Sequence, residues 1–206
     1  MLIEGPIFGE FEAQADKPAA LIGPNAILQL AHAMEERIGD ARMMKVMRKA
    51  GLGILPAGDC MIPEEDAIAI HHALAYCEGE FAEDLVRDSG ARTADYIIAN
   101  RIPRPAAWLL ERLPASIGGR LLMMAIGQHA RTFTGSGKFR AHGPWRFTIN
   151  RSDTHDWVEP PASLFAWYAA VFERLFQRLI APGCQCTDIC ARGPSTRVHH
   201  YQISQN

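Results

Sequence analysis

Two punctuation marks, Pro160-Pro161 and Pro182-Gly183, bracket a run in which Leu164, Tyr168, Val171, Leu175 and Leu179 recur every three or four residues. Residues at that spacing share one face of a helix, so a helix is expected over 162–180 with a continuous apolar stripe. A stripe of that length has to be covered, which makes this helix the organising element of the core. Its most apolar stretch, 160–172, falls short of the roughly 18–20 residues that a bilayer crossing needs. With 206 residues, 48% of them hydrophobic and 21% charged, the chain has enough material for one globular core.

Weaker periodicities surround that helix. Pro24-Asn25 opens a pattern with Ile27, Leu30, Ala31, Met34 and Ile38 on one face, and Gly39-Asp40 ends it before a basic helix over 41–50. Pro63-Glu64-Glu65-Asp66 reads as a helix start, since proline suits the first turn and acids favour its positive end. Helical patterns follow over 80–101, with Gly90 in its middle, and over 116–131, after Pro103, Pro105 and Pro114. The character then changes: 138–142 and 145–149 alternate about Gly143-Pro144, which reads as a hairpin burying Phe139, Ala141, Trp145, Phe147 and Ile149. A strand from Cys184, a turn at Gly193-Pro194 and a strand over 197–204 close the chain. The expected fold is α+β, a single domain of several helices on one small antiparallel sheet, with residues 1–79 as a helical N-terminal part.

The formal net charge of −2 offers no general attraction to a phosphate backbone, which argues against nucleic acid as a partner. Met1-Leu2-Ile3-Glu4-Gly5-Pro6 lacks the basic start and apolar run of a signal peptide. An odd set of five cysteines is consistent with reduced thiols, so a cytoplasmic location is expected, with peripheral contact at a membrane left open.

The tail reads Cys190-Ala191-Arg192-Gly193 and then His199-His200-Tyr201-Gln202-Ile203, a cysteine and glycine turn followed by an aromatic-x-aliphatic strand. Together with the helix over 80–101 and its Gly90-Ala91-Arg92, this resembles the 4-vinyl reductase domain family of bacteriochlorophyll-biosynthesis proteins, across 80–203. The sequence departs from that pattern where His199 replaces the second tail cysteine, Thr187 an acid, and the Ser163 region a further cysteine. The resemblance implies a chlorophyllide- or protochlorophyllide-type tetrapyrrole as ligand, with other enzymes of bacteriochlorophyll synthesis and a second copy of the chain as candidate partners. It leaves three functions: a binding or carrier protein, an 8-vinyl (formerly 4-vinyl) reductase whose cofactor comes from a partner, or, ranked last, a ligand-sensing regulatory module. Gly51-x-Gly53 lacks the third glycine of a dinucleotide fingerprint, and 135–138 lacks P-loop spacing, so no cofactor motif decides for the reductase.

Two constellations follow. Cys184, Cys186 and Cys190 with His199 offer the thiolate and imidazole set of a structural zinc site, against an iron–sulfur cluster or plain buried thiols. Strand alternation puts His199 on the face of Tyr201 and Ile203, and His200 on the opposite face. A magnesium tetrapyrrole needs apolar walls, an axial ligand and a cation for its propionate. His129, His142 and His155 are the candidate axial imidazoles, with His129 expected to face inward in register with Leu122, Ala125 and Ile126. Trp145 and Trp167 are candidate walls beside Phe147, Phe172, Met123 and Met124, unless these simply fill the core. Arg101, Arg104, Lys138 and Arg140 are candidate partners for the carboxylate.

Overall fold

The computed structural model describes residues 20–152, 159–189 and 197–205. In chain order these form β1 (Leu21–Ile22), α1 (Asn25–Ile38), α2 (Asp40–Lys49), β2 (Ile62–Pro63), α3 (Glu64–Glu78), α4 (Phe81–Asn100), α5 (Arg104–Leu110) and α6 (Ala115–Gln128). Then come α7 (Arg131–Thr134), β3 (Lys138–Ala141), β4 (Arg146–Asn150), α8 (Ala162–Leu179), β5 (Cys184–Asp188) and β6 (Val198–Gln205). The architecture is α+β as expected. One four-stranded antiparallel sheet, ordered β3-β4-β6-β5, carries the helices, and a two-residue ladder joins β1 to β2.

α8 lies between two partners. One side packs along α4, and the other covers the inner face of the sheet. Leu164, Tyr168, Val171, Leu175 and Leu179 are all buried, as the stripe required. On the sheet side, Phe172 stacks on Phe147 at 3.9 Å between ring centres, and Phe147 stacks on Tyr201 at 4.5 Å. Pairs of this kind contribute about 0.5–1.5 kcal/mol beyond their burial. The hairpin forms in the register that its alternation implies, Phe139 opposite Ile149 and Ala141 opposite Phe147. Phe147 and Ile149 are buried, whereas Ala141 is exposed at the strand end.

Gly90 does not interrupt α4, although a mid-helix glycine weakens helix propensity. A Cβ at this position would sit 2.7 Å from the Cβ of Ala170 and 3.0 Å from the carbonyl of Trp167. The missing side chain is what lets α4 and α8 approach so closely.

A second tie crosses the chain through a buried ion pair. The Arg151 guanidinium at the end of β4 donates to the carboxylate of Glu64, the first residue of α3, with both side chains almost wholly removed from solvent. Arg151 also donates to the Thr134 carbonyl at 3.2 Å, and the Ser136 amide donates to Glu64 at 3.1 Å. Gly135, at φ +57°, leaves room for that carboxylate, since a Cβ would meet its oxygen at 2.4 Å. Paired and hydrogen-bonded in this way, the two charges tolerate burial.

Candidate functional site

The helix register expected over 116–131 ends early. α6 stops at Gln128 and His129 takes a non-helical conformation, with its carbonyl accepting from the Thr132 hydroxyl at 2.7 Å as α7 begins. His129 is therefore exposed instead of facing inward with Leu122, which corrects the expectation from periodicity. His142 follows β3 and is also exposed. Its Nε2 lies 2.8 Å from the Thr148 hydroxyl, which in turn lies 3.1 Å from Nδ1 of His200, so these groups form a polar chain on the outer face of the sheet. Trp145 is half-buried against Phe176, and Trp167 is buried in α8 beside Tyr168. The four residues are thus distributed over a helix end, a hairpin and the core. His155 lies outside the described residues.

Of the metal candidates, the three described ones, Cys184, Cys186 and His199, do not converge. Cys184 and Cys186 are buried on the inner face of β5, and Cys186 pairs with Ile203 of β6. His199 stands four residues along β6 from Ile203, about 13 Å at strand spacing, whereas ligands of one zinc each sit about 2.0–2.3 Å from it. Burial, reinforced by Glu173 and Asp188, pushes the Cys186 thiol far above its ordinary value and keeps it protonated. His199 does share the inner face with Tyr201 as alternation implied. It stacks on Phe165 at 3.5 Å between ring centres and pairs through Nδ1 with Asp188. Cys190 and the Gly193-Pro194 turn lie outside the described residues. Among the described residues no group of three His, Cys, Asp or Glu side chains is placed to hold a metal ion.

His71, a weaker candidate than the other histidines on sequence grounds, is wholly buried in α3. Its Nδ1 lies 3.2 Å from the Ser163 hydroxyl at the start of α8, and its Nε2 has no hydrogen-bond partner among the described residues. Burial, with a smaller contribution from neighbouring His72, holds the imidazolium down to about 3, so the ring stays neutral in ordinary buffers.

Elsewhere an open groove of about 500 Å³ lies between the C-terminal ends of α4 and α8 and the short α5. Ile98, Ala99, Ile102 and Ala107 give it apolar walls, and the exposed Trp108 stands at its edge. Its polar groups are Asp95, Arg104, Glu111 and Arg178. Asp95 is held by a bidentate contact from Arg174 at 3.0–3.2 Å, and Arg178 lies 3.9 Å from it. Arg104 forms no ion pair among the described residues. Apolar walls with an uncommitted guanidinium suit a flat apolar ligand carrying an anionic substituent. Arg104 was recognised in the sequence, but the groove was not. Its signal is Pro103-Arg104-Pro105, a proline-led helix start closed by Pro114, which makes α5 a helix in its own right.

The fold is that of the H-NOX domain. A mutant form of the Fe(II) unliganded H-NOX protein from K. algicida superposes with a TM-score of 0.60 at 10% identity, covering 90% of this chain and 97% of that one. The unmutated protein gives a TM-score of 0.58 with the same coverage. A further H-NOX structure gives 0.54 at 7% identity, over 88% of this chain and 93% of that one. No family model matches the chain.

Sequence similarity narrows the class. The chain is 43% identical over 194 residues to the bacteriochlorophyll synthase 23 kDa chain of Rhodobacter capsulatus, covering 91% of this chain and 89% of that protein. It is 41% identical over 176 residues to the protein of the same name from Cereibacter sphaeroides, covering 84% and 85%. The chain belongs to this family of bacteriochlorophyll synthase 23 kDa chains, and with it to bacteriochlorophyll biosynthesis.

Proposed function

We propose that the protein holds a magnesium tetrapyrrole of the chlorophyllide type and hands it to enzymes of bacteriochlorophyll synthesis. The observation that carries this reading is a coincidence of two independent likenesses. The relatives are named for bacteriochlorophyll synthase, and one H-NOX protein of the same fold was solved to probe the function of heme distortion, heme being another tetrapyrrole. The groove beside α5 supports it, with Ile98, Ile102 and Trp108 to cover a macrocycle face and Arg104 to meet a propionate.

Titration of the protein with protochlorophyllide tests the reading. A saturable, shifted absorption spectrum without turnover is expected, and Trp108→Ala should weaken binding by removing apolar contact. A spectral shift from His129→Ala or His142→Ala, with Trp108→Ala silent, would move the macrocycle to that histidine and identify an axial ligand. Absence of saturable binding by the unmutated protein would overturn the carrier reading. A reduced vinyl product formed with NADPH would replace it by the reductase.

A further inference from the structure

We propose that α5 and α6 form a docking surface for an anionic lipid bilayer. On α6, Ile117, Leu121 and Met124 are 49%, 41% and 58% exposed, and their spacing of four and three places them on one face. The opposite face is committed to the protein: Gly118, Gly119, Leu122 and Met123 are buried, and a Cβ on Gly119 would meet Pro144 and Phe176 at 3.2–3.3 Å. α5 adds Trp108 and Leu109, 56% and 47% exposed. In the described chain each of these five side chains keeps two fifths or more of its surface open to solvent.

Charge selects the occupant. Residues 101–151 contain nine Lys and Arg but one acid, Glu111, while the rest of the chain carries twelve Lys and Arg against twenty-two Asp and Glu. Arg104, Arg112, Arg120 and Arg131 accompany the exposed apolar stripe, and none forms an ion pair among the described residues. In contrast, Arg42, Arg87, Arg92 and Arg174 on other helices each meet a carboxylate. Arg112 instead lies 4.1 Å over the Trp108 ring. An apolar helix face with unneutralised arginines matches a surface that is apolar below and anionic above. Tryptophan favours that boundary, and arginine stems extend along it while the guanidinium reaches the headgroups. Among the described residues no helix is long and apolar enough to cross a membrane, and the contact proposed is interfacial.

Sedimentation of the full chain with vesicles tests this, using phosphatidylcholine alone and phosphatidylcholine mixed with phosphatidylglycerol. The chain should pellet with the mixed vesicles, and its affinity should fall as salt rises. Leu121→Asp combined with Met124→Asp should weaken binding about tenfold or more, and Arg112→Glu combined with Arg120→Glu should remove the preference for the anionic lipid. All four positions are exposed, so circular dichroism should show each variant folded. Equal binding to both vesicle types, or binding indifferent to the paired aspartates, would overturn the proposal. A dimer that Leu121→Asp dissolves, in a protein that ignores vesicles, would assign the face to a second copy instead. Tetrapyrrole binding is read separately by absorbance, so a carrier that ignores vesicles overturns this inference and leaves the proposed function standing.

Discussion

The α4–α8 seam and the α5–α6 arm are built from the same kind of sequence, apolar residues at helical spacing, and reach opposite outcomes. At the seam every apolar position finds a neighbour, to the point that Gly90 is needed to bring the helices together. On the arm one face of α6 finds the protein while the other, Ile117-Leu121-Met124, faces solvent. Periodicity therefore states that a helix has an apolar side. Whether the same chain supplies the cover depends on where the turns on either side point it. Charge follows the same division: the arginines of α4 and α8 meet carboxylates, and those of the arm meet none among the described residues.

The largest effect should come from the buried tie that holds α3 to the sheet. Arg151→Ala leaves the Glu64 carboxylate buried without its guanidinium, and about 3–5 kcal/mol of stability should be lost in chemical denaturation. A loss under about 1 kcal/mol would show that water or a rearranged neighbour replaces the arginine. Next is Leu175→Ala in α8, at a position only 3% exposed, expected to cost about 2–5 kcal/mol. A loss below half of the lower figure would remove α8 from the centre of the core.

Glycines allow a contrast of sign. Gly90→Ala should destabilise by about 1–3 kcal/mol, because the new methyl collides with Ala170 and the helix propensity gained does not offset it. Gly127→Ala, in the exposed part of α6 with its nearest contact at 3.7 Å from Phe139, should instead stabilise by about 0.5–1 kcal/mol. Equal effects at the two sites would mean that the seam can open without cost.

Acid should act on the interior. His71 titrates at its ordinary 6.5 when unfolded and at about 3 when folded, so between those values the unfolded chain binds the extra proton. Its contribution is intact above 6.5 and is lost as pH falls, at a slope approaching about 1.4 kcal/mol per pH unit. Stability measured against pH for the native chain and for His71→Leu should diverge below pH 6.5 with that sign. Parallel curves would show that the ring is protonated in the fold or reaches solvent.

Much of this architecture was legible because its causes are local. Prolines bound α8, Gly143-Pro144 closes the hairpin, and alternation separates His199 from His200 onto opposite faces of β6. What remained hidden depended on contacts distant in sequence or on a turn of a few residues. Glu64 and Arg151 are 87 positions apart, and neither position betrays its partner. One early helix end put His129 into solvent, and the register between β5 and β6 separated Cys186 from His199 although both lie on the inner face. The groove escaped notice because three helix ends form it and no single periodic segment contains it.

The smallest expected effect bears most directly on the comparison. Leu121→Ala removes the same atoms as Leu175→Ala, but from a side chain 41% exposed in place of one 3% exposed. With few neighbours to lose and no cavity left behind, the isolated chain should change by no more than about 0.5 kcal/mol. Identical chemistry at the seam and on the arm would then differ severalfold in cost, which is the difference between a covered and an uncovered helix face. A loss near 2 kcal/mol would mean that the arm is covered in solution. Its source would be visible in the concentration dependence of melting, because stability supplied by a second copy rises with protein concentration and stability supplied by the chain's own packing does not.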